Sequence, residues 1–127
     1  MAIVSENKNE IEKGFQHIYH NLETGNGEEP MMNILSSFQD GKWRVLIFPR
    51  EKQRPSHYFK TNEEQITVSP AAVEMGGVLV LPEEEDFLKI TKKEIMEIYE
   101  EVTIACESYK KLKKAMIGSS ALPQSIK

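Results

Sequence analysis

The three histidines are the first candidates for chemistry, because imidazole can act as a nucleophile, an acid or base, or a metal ligand. His17 and His20 are three residues apart, so on a helix they would lie on one surface. A zinc site needs three or four ligands, and no cysteine or further histidine lies close to this pair in the sequence. We therefore interpret the pair as helix surface and predict no metal site.

A cluster of basic residues follows in the middle of the chain. Arg44, Arg50 and Arg54 fall within eleven residues, with Lys52 among them. Arginine presents a rigid fork of donors that suits phosphate or carboxylate, so the cluster is either a phosphate-binding site or ordinary surface charge. His57 lies beside it and is either a general acid or base or a histidine held for structural reasons.

The other common catalytic motifs are absent from the sequence. It contains no G-x-S-x-G, no glycine-rich phosphate loop and no C-x-x-C. Cys106 is the single cysteine, and its position on an apolar helical stripe predicts a buried, poorly reactive thiol. We predict no catalytic residue and no cofactor for this chain.

The elements that position these residues begin with a helix and a hairpin. Residues 7–23 predict an amphipathic helix from their apolar spacing. The runs MMNILSSFQ and KWRVLIFP predict two strands joined at Asp40-Gly41, a pair that favours a tight primed turn. The second strand has apolar residues on both faces, which predicts a central strand covered on two sides.

The segments after the hairpin predict more strands and a final helix. Residues 57–59, 66–69 and 77–82 are strand-like, and residues 69–77 predict a short helical turn closed by two glycines. Thr91–Glu94 is a capping box. We expect it to begin one long helix that runs to about residue 116.

The composition is that of a soluble globular domain. The chain has 127 residues, of which 39% are hydrophobic and 28% charged, and no run approaches the roughly 18–20 apolar residues of a membrane span. A net charge of −4 argues against a nucleic-acid partner, and the acidic run at 83–86 is interpreted as a solvated loop or the start of a helix. The first ten residues lack the features of a secretory signal, and one cysteine gives no reason for an oxidising compartment, so we predict the cytoplasm.

The order of elements predicts an α+β fold, with an antiparallel sheet and helices packed on one face. We expect a single domain over residues 1–118 and a flexible C-terminal tail over residues 119–127.

Three segments together resemble a known family. They are Asn33-Ile34-Leu35, the strand end at residues 46–50 (LIFPR), and residues 69–80 (SPAAVEMGGVLV). In this order and spacing they resemble the C-terminal half of the GDP-L-galactose phosphorylase and diadenosine tetraphosphate phosphorylase group. These enzymes are relatives of galactose-1-phosphate uridylyltransferase in the histidine-triad-like superfamily. The resemblance covers about residues 31–104, and SPAAVEMGG is its most specific part.

The resemblance implies a histidine-triad-like half-domain that packs against a similar half. In such enzymes the other half carries a His-x-His strand, whose histidine forms a covalent nucleotidyl intermediate. This chain has no His-x-His, and His17 and His20 have the wrong spacing for one strand face. No nucleophile is therefore carried over. The candidate substrate-binding residues are Asn33, Arg50, Lys52, Arg54, His57, Ser69 and Glu74.

Three functions are compatible with these observations. The first is the non-catalytic C-terminal domain of a nucleotidyltransferase-like protein, an ATP adenylyltransferase or nucleotide phosphorylase, which completes the sheet and substrate cleft of a catalytic half. The second is a stand-alone module that binds a nucleotide or a protein. The third is a small enzyme that uses His57. The implied partners are a nucleotide or phosphorylated sugar, and a catalytic half-domain or a second copy of the chain.

Overall fold

The computed structural model describes residues 1–22 and 29–117. Its contacts divide the chain into two compact units, Met1–Pro49 with Cys106–Lys127 and Arg50–Ala105. The expectation of a single domain stays a prediction, and the expected tail at 119–127 lies outside the described residues. The helices and strands are β1 (Ala2–Ser5), α1 (Lys8–Asn21), β2 (Met32–Gln39), β3 (Lys42–Pro49), α2 (Ala72–Met75), α3 (Glu84–Lys89), α4 (Lys92–Val102) and α5 (Cys106–Ile117).

The first unit is an antiparallel sheet with strand order β1-β3-β2, with α1 packed against the sheet and α5 packed against α1. Together with the helices of the second unit this is an α+β fold, as predicted. The hairpin turn is also confirmed: Asp40 and Gly41 both have positive φ, at 54° and 74°, the pattern of a type I′ turn. β3 is the central strand, but Leu46 on its second face is 41% exposed, so that face is only partly covered.

The core of the first unit lies between the sheet, α1 and α5. α1 contacts β1, β3 and α5, and its helix begins at Asn7, whose side chain accepts a hydrogen bond from the backbone N–H of Asn9. Such a cap satisfies one of the donors that a helix leaves unpaired at its start. The buried apolar residues of this unit are Ile3, Ile18, Val45, Ile47, Leu112 and Met116.

The second unit has no regular strand within residues 50–105, where two short 3-10 helices (Ser56–Phe59 and Asn62–Glu64) precede α2, α3 and α4. Ile66, Val68 and Ile98 form its core. The three partly buried residues packed against this cluster are Leu79, Leu81 and Ile90. The helical turn and closing glycines predicted for residues 69–77 are confirmed by α2 and by the positive φ of Gly77.

The strands predicted at residues 57–59, 66–69 and 77–82 are wrong. The first of these segments lies in a 3-10 helix. In the second, the alternating burial is present, but its backbone groups form no ladder with another strand, because the N–H of Ile66 donates to the carbonyl of His57 at 3.1 Å and other groups bond to side chains. The N–H of Thr67 donates to Asp86 Oδ2 at 2.6 Å, and Lys89 Nζ donates to the carbonyl of Gln65 at 2.6 Å. Asp86 is buried, so it is not part of a fully solvated acidic run.

The long final helix is also wrong, because it is interrupted after Val102. In a continuous helix the Val102 carbonyl would accept from the N–H of Cys106. It accepts instead from the N–H of Glu51 at 3.0 Å and from Nε of Arg50 at 2.9 Å. The chain therefore leaves the helix at Thr103 and begins α5 at Cys106, which is exposed and not part of the core.

The start of α4 does follow the prediction. The Glu94 carboxylate accepts from the N–H of Thr91 at 2.8 Å, and Thr91 Oγ1 accepts from the N–H of Glu94 at 3.3 Å, which makes a reciprocal capping box. None of the helices in the described ranges is both long enough and apolar enough to cross a bilayer.

Candidate functional site

Arg50 lies at the centre of the second unit and is buried. Its Nε donates to the carbonyl of Val102 at 2.9 Å and its Nη1 to the carbonyl of Pro70 at 2.6 Å. Its Nη2 donates to the carbonyls of Lys52 at 2.9 Å and Gln53 at 3.1 Å. One guanidinium thus joins three segments that are distant in sequence, because its donors form a flat fork that reaches several acceptors at once.

Glu74 supplies the negative charge in this region. Burial lowers the pKa of Arg50, and the charge of Glu74 opposes that change, so the guanidinium remains protonated. The buried Glu74 carboxylate accepts from the N–H of Ala71 at 2.8 Å, at the start of α2. The backbone carbonyl of Glu74 accepts from Tyr99 Oη at 2.7 Å. Burial, together with the charge of Glu74, raises the pKa of Tyr99. The LIFPR and SPAAVEMGG segments therefore meet at Arg50 and Glu74.

Lys52 belongs to a second, more exposed group. Its Nζ lies 2.8 Å from Glu101 Oε1, and the other carboxylate oxygen accepts from both the N–H and the hydroxyl of Ser56, each at 2.8 Å. The hydrogen bonds from Lys52 and Ser56 lower the pKa of Glu101 from 4.5 to about 2. Sequence reasoning missed Glu101, because its partners are 45 and 49 residues away along the chain.

Arg54 is exposed and lies against an aromatic ring. Its guanidinium carbon is 4.2 Å from the ring centroid of Tyr58, a cation–π contact that holds the side chain in place. Within residues 1–22 and 29–117 no hydrogen bond or ion pair involves the Arg54 guanidinium. Its donors are therefore directed to solvent and are available to an anionic ligand.

His57 is buried, and its surroundings include a carboxylate. Its Nε2 lies 4.0 Å from Glu97 Oε2, and Glu97 also pairs with Lys93 at 3.5 Å. His57 Nδ1 is buried with no hydrogen-bond partner in the described part of the chain. A ligand could therefore exchange a proton with His57 only through Nε2, the nitrogen that faces Glu97.

Two of the predicted site residues lie together in the second unit. Arg50 and Glu74 share one buried group, whereas Ser69 is exposed. Asn33 lies in β2 of the other unit, opposite Phe48 of β3. The role of the seven candidate residues as substrate contacts stays a prediction.

The two histidines of α1 have different surroundings. His20 Nδ1 lies 2.6 Å from the carbonyl of Gln16, one turn earlier, and His17 Nε2 is buried without a hydrogen-bond partner. Among the described residues no group of three or more His, Cys, Asp or Glu side chains is arranged to hold a metal ion.

The first unit contains an open apolar pocket that none of the predicted site residues lines. Lys8 Nζ lies 5.7 Å from the centroid of the Trp43 ring at its margin, and Phe38 packs against the same ring at 4.9 Å. The residues that line the pocket are Lys8, Ile11, Glu12, Phe15 and Trp43.

The chain was compared with protein families, curated proteins and solved structures. The protein-family model described as "GDPGP1-like, C-terminal domain" matches residues 1–122. No curated protein and no solved structure matches the chain. The family match confirms the resemblance drawn from the LIFPR and SPAAVEMGG segments.

We predict that Arg50→Lys destabilises the chain by about 2–4 kcal/mol, because one ammonium cannot replace a fork bonded to four carbonyls and leaves buried acceptors unpaired. Urea unfolding followed by circular dichroism measures the change. Arg44→Lys is the matched control, since Arg44 makes one exposed hydrogen bond, to Gln39; its cost should stay below about 0.5 kcal/mol. Equal losses for the two variants would contradict a special role for Arg50.

We also predict a pH-dependent effect of Glu101→Gln. The pKa of Glu101 is lower in the folded chain than its ordinary value of 4.5, so its carboxylate stabilises the fold fully above that value, and the contribution is lost as the pH falls towards about 2. The free energy of unfolding of the wild type should exceed that of Glu101→Gln at neutral pH.

The difference should shrink steadily as the pH is lowered below 4.5. Glu100→Gln is the control, because Glu100 is the exposed neighbour on the same helix, and it should follow the wild type at every pH. A difference between wild type and Glu101→Gln that does not change with pH would show that the carboxylate charge does not stabilise this loop.

Proposed function

Because the chain belongs to the GDPGP1-like C-terminal domain family, we propose that it is the non-catalytic C-terminal half of a nucleotidyltransferase-like protein of the ATP adenylyltransferase or nucleotide phosphorylase kind. It adopts a histidine-triad-like half-domain, and it completes the sheet and the substrate cleft of a catalytic half. The substrate is a nucleotide or a phosphorylated sugar. The setting is the cytoplasm, where an exposed thiol such as that of Cys106 persists in reduced form.

The observation that carries this proposal is that the charged side chains of the two family segments, LIFPR and SPAAVEMGG, bind the chain's own backbone. The charged side chain of LIFPR is that of Arg50. Its guanidinium donates to backbone carbonyls, including that of Pro70 in SPAAVEMGG. The strongest polar group of SPAAVEMGG is Glu74, which caps α2 and balances Arg50. These segments hold the backbone in place, so the covalent chemistry is assigned to the other half.

The positions of the histidines support the same division of labour. Nucleotidyl transfer through a covalent intermediate needs an imidazole whose nitrogen can reach the α-phosphate. His20 is bonded to its own helix, and His57 is buried beside Glu97. Neither lies on a strand, where a His-x-His pair would project both rings from one face.

Exposed apolar side chains support association with a larger partner. Phe87 and Leu88 are consecutive on α3 and are 68% and 76% exposed. Large apolar side chains exposed side by side are uncommon on a surface that faces only water. Packing against a catalytic half would bury them.

We predict that this chain increases the activity of a catalytic half that carries the His-x-His strand. The catalytic half is produced separately, and phosphorolysis of a GDP-sugar is followed with and without the chain. The value of kcat/KM should rise at least about tenfold on mixing, because a completed cleft orients the substrate. The chain alone should show no turnover.

A matched pair of variants makes this experiment specific. Phe87→Ser and Leu88→Ser should weaken the stimulation, because they remove apolar contacts from α3. Lys92→Ser, a change at the exposed start of α4, should leave it unchanged. Turnover by the chain alone, or a catalytic half that is indifferent to it, would contradict the proposal.

A second candidate function is a stand-alone nucleotide-binding module, and the Arg54–Tyr58 stack favours it. The guanidinium is fixed by the ring, while its donors remain open to a phosphate. The neighbouring Lys52 is paired with Glu101, so Arg54 is the better placed of the two cations for direct contact.

If the chain binds nucleotides by itself, Arg54→Ala should weaken GDP binding at least about fivefold, because a charge-assisted contact is lost. The increase in melting temperature with GDP, and with inorganic phosphate, measures the affinity. Arg44→Ala removes an arginine that lies outside this loop and should leave binding unchanged. The absence of any stabilisation by either ligand would eliminate this second function, whereas the first would still be tested by the activity of the catalytic half.

A further inference from the structure

β2 is an edge strand of the sheet in the first unit. β3 pairs with it on one side, and within residues 1–22 and 29–117 no strand pairs with its other side. The direction of its backbone groups follows from β3. The N–H of Ile47 donates to the carbonyl of Met1, on the β1 side, so Leu46 and Phe48 direct theirs towards β2. In β2, residues that bond to β3 therefore alternate with residues whose N–H and C=O groups are directed outward, away from β3. The outward-directed residues are Met32, Ile34, Ser36 and Phe38.

The sequence of this edge strand has none of the features that normally prevent strands from pairing. Native sheets protect their edges with lysine, proline, bulges or very short strands. β2 has eight residues, contains no charged residue and no proline, and keeps a continuous register with β3. Ile34 and Phe38 are 41% and 58% exposed along it. A long, uncharged, apolar edge of this kind is suited to receive another strand.

We propose that the occupant is β2 of a second copy of this chain, paired antiparallel about a two-fold axis at Leu35. In this register Met32 lies opposite Phe38 of the second copy, Asn33 opposite Ser37, and Leu35 opposite itself. Ile34 lies opposite Ser36, whereas the other pairs join apolar with apolar or polar with polar residues, the arrangement that stabilises cross-strand pairs. No like charges face each other, because the strand contains none.

The neighbouring register is less favourable. Only registers that place the outward-directed residues opposite one another form hydrogen bonds along the edge. Moving the axis to Ser36 keeps this condition and places Ile34 opposite Phe38, but it places Leu35 opposite Ser37. It removes the contact between the two leucines and the two contacts between Met32 and Phe38. The axis at Leu35 therefore pairs more apolar surface along the same strand.

This inference goes beyond the proposed function and does not depend on it. Pairing at β2 uses one edge of the sheet, while β1 forms the other edge. A dimer through β2 can therefore exist whether or not a catalytic half binds elsewhere. Its failure would appear in the oligomeric state, and failure of the proposed function would appear in the activity of the catalytic half.

The first test measures the oligomeric state of the full chain by sedimentation equilibrium. The wild type should form a dimer. Ser36→Pro should raise the dissociation constant at least about tenfold, because it removes an outward N–H without removing a bond to β3. Ser36→Thr keeps that N–H and is the matched control. A chain that is monomeric at all concentrations, or a dimer that Ser36→Pro leaves unchanged, would overturn the inference.

The second test fixes the register and does not depend on the proline variant folding. In a Cys106→Ser background, Leu35→Cys should form an intermolecular disulfide under mild oxidation, because residues on the axis lie at bonding distance across the two strands. Ser37→Cys is the control and should crosslink poorly, since its counterpart is Asn33. Efficient crosslinking of Ser37→Cys or Ser36→Cys in place of Leu35→Cys would overturn the proposed pairing.

Discussion

The hydrogen bonds of the buried Arg50 guanidinium are the interaction on which the second unit depends. That unit has no regular strand among its described residues, so its loop carbonyls have no ladder of N–H groups to pair with, and a buried carbonyl left unpaired is costly. Arg50 supplies donors to carbonyls at Val102, Pro70 and the turn that begins at Lys52. The end of α4 and the entrance to α2 are both fixed by this one side chain.

The same interaction changes how the arginine cluster is interpreted. A guanidinium fork suits phosphate oxygens and carbonyl oxygens alike, so the sequence favours neither. In the folded chain a phosphate at Arg50 would have to displace bonds to carbonyls such as that of Pro70. Arg54 has no such competition, because its only described contact is with the face of the Tyr58 ring. Arg50 and Arg54 therefore differ in role although they are close in sequence. Arg50 is buried and binds the backbone, whereas Arg54 is exposed and available to a ligand.

The features that could be predicted from the sequence are those whose causes are local. The Asp40-Gly41 turn and the capping box of Thr91 and Glu94 each depend on residues within one turn of chain. The break after Val102 could not be predicted, because the donors that take its carbonyl, at Arg50 and Glu51, are about fifty residues away. The same holds for the candidate site. The arginines can be found from their spacing in the sequence, whereas Glu101 contacts its partners only in the folded chain.

The two units satisfy their backbones in different ways, and this difference decides which of them offers a strand edge to a partner. In the second unit, side chains such as Arg50 and Asp86 bind the backbone groups of irregular segments, and residues 50–105 contain no regular strand. In the first unit, the backbone is satisfied by a ladder, and a ladder of three strands always ends in two edges. Ile34 and Phe38 would be ordinary core residues on a central strand, whereas on the edge strand β2 they are exposed, as the proposed pairing of two copies requires.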